Sequence, residues 1–204
     1  MNSVLRDFRT NQHACSDGFR AAMRQLTGGV SVVTAGCGED ISGMTMTSVS
    51  SLSVDPPALI VSINRSASSW PLMKRYGFFG VNLLTSDQIH IAERFEGKGG
   101  LKGAARFAGS RWITRASGVP LLDGALAAID CEVEEAIERQ SHAIVIGRVL
   151  HVEVSARRAA LAYWQGDYVV IDNDEDAIKL AEVSLPKRKG LWKNHPTAPD
   201  DNVF

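Results

Sequence analysis

Residues 43–57 read GMTMTSVSSLSVDPP, and six of the nine positions 45–53 carry hydroxyls: Thr45, Thr47, Ser48, Ser50, Ser51 and Ser53. Such a density of small hydroxyls between apolar runs has two physical readings. In one, the segment is a Ser/Thr-rich edge strand whose hydroxyls face water or satisfy backbone groups. In the other it is a ligand cradle. Small side chains let the backbone approach a flat ring closely, and hydroxyls and N–H groups bond its carbonyl oxygens and nitrogens. Asp55-Pro56-Pro57 ends the segment rigidly, because proline fixes its own φ and restricts the residue before it.

A second polar group follows one strand later: Ser62, Asn64, Arg65, Ser66, Ser68 and Ser69. Hydroxyls and a guanidinium before a helix N-terminus suit a phosphate, since the free N–H groups and the dipole favour an anion. Simple N-capping by Ser68 or Ser69 explains one serine of this group but not the rest. A ring cradle and a phosphate grip on adjacent strands describe a phosphorylated planar ligand, and flavin mononucleotide fits that description.

Other chemistries find no support. No GxGxxG marks a Rossmann turn, and no P-loop, HExxH or GxSxG is present. Asp172, Asp174 and Asp176 imitate the start of an EF-hand loop, but Ala177 stands at its obligatory glycine. Ser184–Lys187 fits SxxK without any accompanying motif. The histidines His13, His90, His142, His151 and His195 lack ligand spacing. Cys15, Cys37 and Cys131 are too few and too scattered for a disulfide framework.

Composition narrows the class further. The 204 residues are 45% hydrophobic and 22% charged, as in globular proteins. Twenty-two Lys and Arg against 23 Asp and Glu leave no basic excess for gripping nucleic acid. No apolar run reaches the roughly 18–20 residues of a membrane span, and the first residues lack a signal-peptide core. The expectation is a reduced, cytoplasmic chain with neither a nucleic-acid nor a membrane partner.

The elements that must position these groups are mostly short strands. Runs rich in Val and Ile predict strands over Val30–Thr34, Ala58–Ile63, Phe78–Leu84, Ile129–Ile137, Ala143–Val154 and Tyr168–Ile171. Glu132, Glu134 and Glu138 give the fourth a wet side. Phe19, Met23 and Leu26 recur at helical spacing from Asp17, and Gly28-Gly29 ends that helix. Further helices are expected over Ser69–Tyr76, with Pro71 in the first turn, and Thr85–Phe95, where Thr85 and Gln88 form a capping box. Another is expected over Ser155–Trp164, with Ser155 as N-cap. Many strands, few helices and no strict βαβ alternation predict a mainly β protein with flanking helices, closed as an antiparallel barrel. Residues 1–16 read as an N-terminal arm, 17–172 as the domain, and 173–204 as an extension with a short helix over 176–184. The rest of that extension either packs elsewhere, a second subunit being one such place, or stays mobile.

Gly28–Thr34, followed by GMTMTSVSSLSVDPPALIVSINRSASSW, resembles the flavin reductase-like, FMN-binding split-barrel family. That family includes the reductase components of two-component flavin-dependent monooxygenases. The resemblance continues through Phe79–Leu84, Gln88, Ala92 and Phe95. It extends over Arg106-Phe107, Gly118–Leu122, Cys131, Ser141-His142, Ile146–Val149 and Tyr163-Trp164 to Tyr168. It implies a homodimer of split β-barrels in which 45–51 lines the isoalloxazine and 62–69 holds the ribityl-phosphate end. It also implies hydride transfer from NADH or NADPH to FMN or FAD, and reduced flavin diffusing to a partner monooxygenase. Gln140-Ser141-His142 stands where the family often has Gly-Asp-His, and the retained His142 is placed beside the nicotinamide. Phe95 and Tyr168 are candidate pocket walls, and either could equally be core packing. Two other readings stay open on the same barrel: an oxidase or reductase with tightly held flavin, and a non-enzymatic flavin carrier or sensor.

Overall fold

The computed structural model describes residues 15–156 and 159–172. Residues 1–14 of the expected arm over 1–16, and the extension over 173–204 with its helix at 176–184, lie outside the described residues. The chain runs α1 (Ser16–Met23), β1 (Gly28–Gly29), β2 (Ser31–Cys37), β3 (Asp40–Met46), β4 (Val49–Val54), β5 (Pro57–Asn64) and α2 (Ser69–Tyr76). It continues with β6 (Phe78–Leu83), α3 (Ile89–Glu96), β7 (Trp112–Ile113), β8 (Leu121–Leu122), β9 (Ala127–Arg139), β10 (His142–Val154), β11 (Ala160–Trp164) and β12 (Asp167–Ile171). Among the described residues, no helix is long and apolar enough to cross a membrane.

Seven strands form one antiparallel sheet in the order β3-β2-β6-β9-β10-β5-β4. Its two edges, β3 and β4, are consecutive in the chain and joined only by Thr47 and Ser48. Three Cα–Cα steps of 3.8 Å reach at most about 11 Å, so the sheet has to curl until its edges nearly meet. Register shifts at Ser51/Ser53 in β4 and at Ile146/Gly147 and Val149/His151 in β10 supply the local bends that curling needs. No ladder joins β3 to β4 among the described residues, so the barrel is split along this seam rather than closed.

Alternation decides what fills it. In β5, Leu59, Val61 and Ile63 are buried, while Ile60, Ser62 and Asn64 are only partly so. With Val33, Phe79, Val81, Cys131 and Val145 they fill the interior, and Trp70, Leu72 and Met73 of α2 pack against them. A second core lies outside β2, where Val30, Val32, Ile91, Phe95, Phe107 and Leu161 join α3 and β11 to the sheet. A three-stranded sheet, β1-β11-β12, completes this layer.

All six expected strands and the helix over Ser69–Tyr76 are present, with ends shifted by at most a few residues. Thr85 and Gln88 form the expected capping box, on a 3-10 turn that leads into α3. The expected helix over Ser155–Trp164 is absent. Ala160–Trp164 instead pairs with both β1 and β12, and Leu161 and Ala162 are buried. The Ser155 hydroxyl donates to the Ala125 carbonyl rather than capping a helix. The strand wins because Gly28-Gly29, paired with Tyr163 and Ala162 from the far end of the domain, offers it a ladder that local periodicity does not reveal. The helix from Asp17 also ends sooner than expected, at Met23. Its apolar stripe faces outward, with Phe19 60%, Met23 46% and Leu26 68% exposed.

Candidate flavin site at the seam

The hydroxyl-rich segment is itself the crossing from β3 to β4. Met46, the last residue of β3, pairs with Ser31, and Val49, the first of β4, pairs with Val61. Thr47 and Ser48 between them belong to neither ladder and are exposed. Half of the six hydroxyls here serve the backbone. Thr45 donates to Ala92 O at 2.6 Å, Ser48 to Ser62 O at 2.8 Å and Ser50 to Ser51 O at 3.3 Å. For these three the edge-strand reading holds. What the seam leaves open is main chain: the peptide N–H groups of Thr47 and Ser48 have no hydrogen-bond partner among the described residues. Two adjacent, exposed, unpaired donors suit the carbonyl and nitrogen edge of a flat heterocycle.

Hollows flank the seam. One, of about 190 Å³, is lined by Val30, Thr45, Met46, Thr47, Glu96, Tyr163 and Tyr168. Tyr168 stacks edge-to-face on Tyr163, with centroids 5.3 Å apart, and its hydroxyl donates to Glu96 at 3.4 Å. Burial, followed by the Glu96 carboxylate, pushes its phenol up to about 12. The other hollow, of about 360 Å³, is the open mouth of the barrel, lined by Ser31, Val49, Ser50, Ser51, Leu59 and Val149 among others. The buried Ser31 hydroxyl has no partner among the described residues.

The second polar group is divided between two places. Residues paired across antiparallel strands share a face. Ser62 pairs with Ile144 and Asn64 with His142, so these four form one outer stripe beginning beside Ser48. Asn64 accepts from the N–H and hydroxyl of Ser66, which shapes the turn. Arg65 is engaged, with Glu138 at 2.6 Å and the Gln140 carbonyl at 2.9 Å, and both are solvent-accessible. Ser68 turns instead to Ser42, 2.7 Å away, and Ser69 is buried without a partner. Neither side chain caps α2. His142, exposed at the start of β10, has Nδ1 2.9 Å from the Ser141 hydroxyl.

Phe95 belongs to the core and not to the cavity wall. It is 2% exposed and packs against Phe107 at 4.9 Å and Trp112 at 5.5 Å. Gly43 lies over its ring so closely that a Cβ there would come within 2.8 Å. The seam hollow uses the next residue, Glu96, which sequence reasoning missed along with Val30 and Tyr163. Adjacency to Phe95 is the only signal that pointed to Glu96, because helix phase, unknown before the fold, decides which of the two faces the hollow.

Comparison with known proteins gives this geometry a context. The family described as flavin reductase like domain matches residues 23–172. An FMN reductase (NADH), RutF, of Cronobacter sakazakii is 33% identical over 150 residues, covering 74% of this chain and 89% of its own. Two solved structures superpose well. BorF, the flavin reductase component of a bacterial two-component tryptophan halogenase, has a TM-score of 0.72 and 32% identity over 78% of this chain and 99% of its own. The styrene monooxygenase flavin reductase of Pseudomonas putida S12 has a TM-score of 0.67 and 30% identity over 76% and 97%.

Proposed function

The chain belongs to the flavin reductase like domain family, and on that premise we propose that it is an NAD(P)H-dependent flavin reductase. It oxidises NADH or NADPH, reduces FMN or FAD, and supplies the reduced flavin to a partner monooxygenase. The relatives named above support this reading by their activities. The observation on this molecule that carries it is the pair of unpaired N–H groups at Thr47 and Ser48, set where the barrel is split.

When bound, flavin accepts the hydride, and that chemistry is the cofactor's own. The protein binds, orients and shields. Thr47 and Ser48 donate to the polar edge of the ring, placing fixed dipoles where negative charge accumulates on reduction. Ser62, Asn64 and Arg65 receive the phosphate end along the outer stripe, and Arg65 then exchanges part of its contact with Glu138 for the ligand. Tyr168 walls the ring end, held by Glu96. His142, on the same stripe as Asn64, positions the donor nucleotide. No side chain has to move a proton for this reaction.

The reductase works as a homodimer. Leu52 and Val54 on β4, with Val152 and Val154 on β10, expose apolar surface of the kind a second copy covers. Its compartment is the cytoplasm, which supplies NADH and keeps cysteines such as the free Cys15, Cys37 and Cys131 reduced. The test is oxidation of NADH and of NADPH by purified protein with FMN, FAD and riboflavin added separately. Turnover that rises with added free flavin is expected. A protein that stays yellow and ignores added flavin would establish the tightly bound flavoprotein instead, and flavin binding without NAD(P)H oxidation would establish a carrier.

A further inference from the structure

The hollow beside Tyr168 does not end at Tyr163. Thr47 and Tyr163 also line a second hollow, of about 280 Å³, whose outer wall is Met23 and Leu26 beyond the apolar side of α1. Arg20, Arg24 and Gln165 are shared between that hollow and a third, of about 610 Å³. The three form one groove, from the unpaired N–H groups of the seam, past an aromatic and two apolar side chains, to two guanidinium groups. Arg20 and Arg24 stand four residues apart on α1 and so lie on one face of the helix. The helix is tied down there: the Gln165 N–H donates to Arg24 O at 3.0 Å, and the Gln165 amide donates to Gln25 at 3.2 Å.

The charges along the groove are unevenly spent. Glu96 at the seam end shares Lys98, at 3.5 Å, with Glu93, at 3.1 Å, so two carboxylates face one ammonium. At the far end, Asp17 lies 3.3 Å from Arg20 in a fully solvated pair, and the Arg24 side chain has no partner among the described residues. The groove therefore runs from acidic to cationic, and an anion is favoured only at the α1 end. Met23 and Leu26, from the outward stripe of α1, supply its apolar stretch.

We infer that Arg20 and Arg24 hold the diphosphate of the hydride donor's adenine dinucleotide, with its nicotinamide end crossing the seam to the side of His142. This rests on the reductase reading above. Guanidinium forks match phosphate oxygens in pairs. No glycine-rich Rossmann turn is present to take the diphosphate on a helix N-terminus, and paired guanidinium groups are another way to grip it. FAD also carries a diphosphate. The flavin's phosphate end, however, is assigned to Ser62–Arg65, on the opposite side of Ser48, so a flavin lying that way points its tail away from α1. Two anion sites on either side of one ring cradle suit two different nucleotides.

The test is the Arg20→Gln/Arg24→Gln variant, with Arg24→Gln alone beside it. Both side chains are exposed, so folding is undisturbed. With saturating FMN, the double variant should raise KM for NADH at least tenfold and leave kcat within twofold, and the single variant should raise KM less. Turnover of N-benzyl-1,4-dihydronicotinamide, a hydride donor without phosphate, should be unchanged, as should FMN and FAD titrations. Calorimetric titration of the flavin-loaded protein with NAD+ should show the same weakening without turnover. An unchanged KM and NAD+ affinity, an equal loss with the phosphate-free donor, or weakened FAD with intact NADH would each overturn the assignment. A parent protein that binds NAD+ through these arginines yet never oxidises NADH would sink the reductase reading and leave the groove standing.

Discussion

Gly28 is the position where a single methyl group tests whether the seam main chain is the binding element. Gly28 in β1 lies against Thr47, and a Cβ built there would stand 2.8 Å from Thr47 Cβ. Carbon atoms pack best at about 3.5–4.0 Å, so Gly28→Ala has to push Thr47 away by ~0.7 Å. Thr47 is outside both ladders and can yield, which keeps the stability loss near the low end of the overpacking range, about 1 kcal/mol. For a chain of this size that is a fall of about 2–4 °C in Tm. The same displacement moves the Thr47 and Ser48 N–H groups relative to a bound ring. A 2.9 Å hydrogen bond stretched to about 3.6 Å is no longer one. Losing one or two such bonds costs about 1–3 kcal/mol, a roughly 5- to 150-fold rise in Kd. Fluorescence titration with FMN and with riboflavin measures it, and both should lose equally, because the perturbed contacts are to the ring. In a Thr47→Gly background the added methyl group meets only the carbonyl oxygen of residue 47, at 3.4 Å, and should cause little further loss. A Kd within twofold of the parent, with the expected fall in Tm, would refute the reasoning by showing that the ring is held elsewhere.

Three further outcomes are expected. Arg65→Ala should weaken FMN roughly tenfold while changing riboflavin little, since only FMN carries a phosphate; equal losses in parallel titrations would remove Arg65 from the phosphate site. His142→Ala should raise KM for NADH roughly tenfold with flavin affinity unaltered, and steady-state kinetics showing the parent KM would end its positioning role. Tyr168 should ionise near pH 12, followed by phenolate absorbance. Its folded pKa lies above the ordinary value of 10.0, so the contribution to stability is complete below pH 10 and is lost as pH rises through 12. Glu96→Gln should lower that midpoint without returning it to 10, because burial is the larger cause and remains; an unmoved midpoint would show that the carboxylate contributes nothing.

Much of this architecture was legible in the residue order. Strand positions, the α2 helix and the Thr85/Gln88 capping box follow from periodicity and cap chemistry, which act over a few residues and so leave local marks. The unusual segment over 45–53 was visible for the same reason: hydroxyls that dense have few uses. β3 went unread because SGMTM lacks the β-branched run that marks a strand, and its partners, β2 and Thr45's Ala92, are supplied by other parts of the chain. The expected helix over Ser155–Trp164 failed for a related reason, since a ladder offered by Gly28-Gly29 outweighs a local preference.

Residue types alone determined that a small, neutral-surfaced, mostly β chain carries a hydroxyl-rich crossing and a nearby cluster of polar groups. Only the tertiary structure decided which atoms of that crossing remain free. Curling a seven-stranded sheet until β3 and β4 are two residues apart leaves Thr47 and Ser48 outside both ladders, while the hydroxyls of Thr45 and Ser48 turn inward to carbonyls from α3 and β5. The same folding buried Phe95, brought Glu96 and Tyr163 to the seam, parted Ser68 and Ser69 from Ser62 and Asn64, and laid the arginines of α1 along the groove. Ladder closure and burial are long-range conditions, satisfied between residues tens of positions apart, and for that reason no window of sequence contains them.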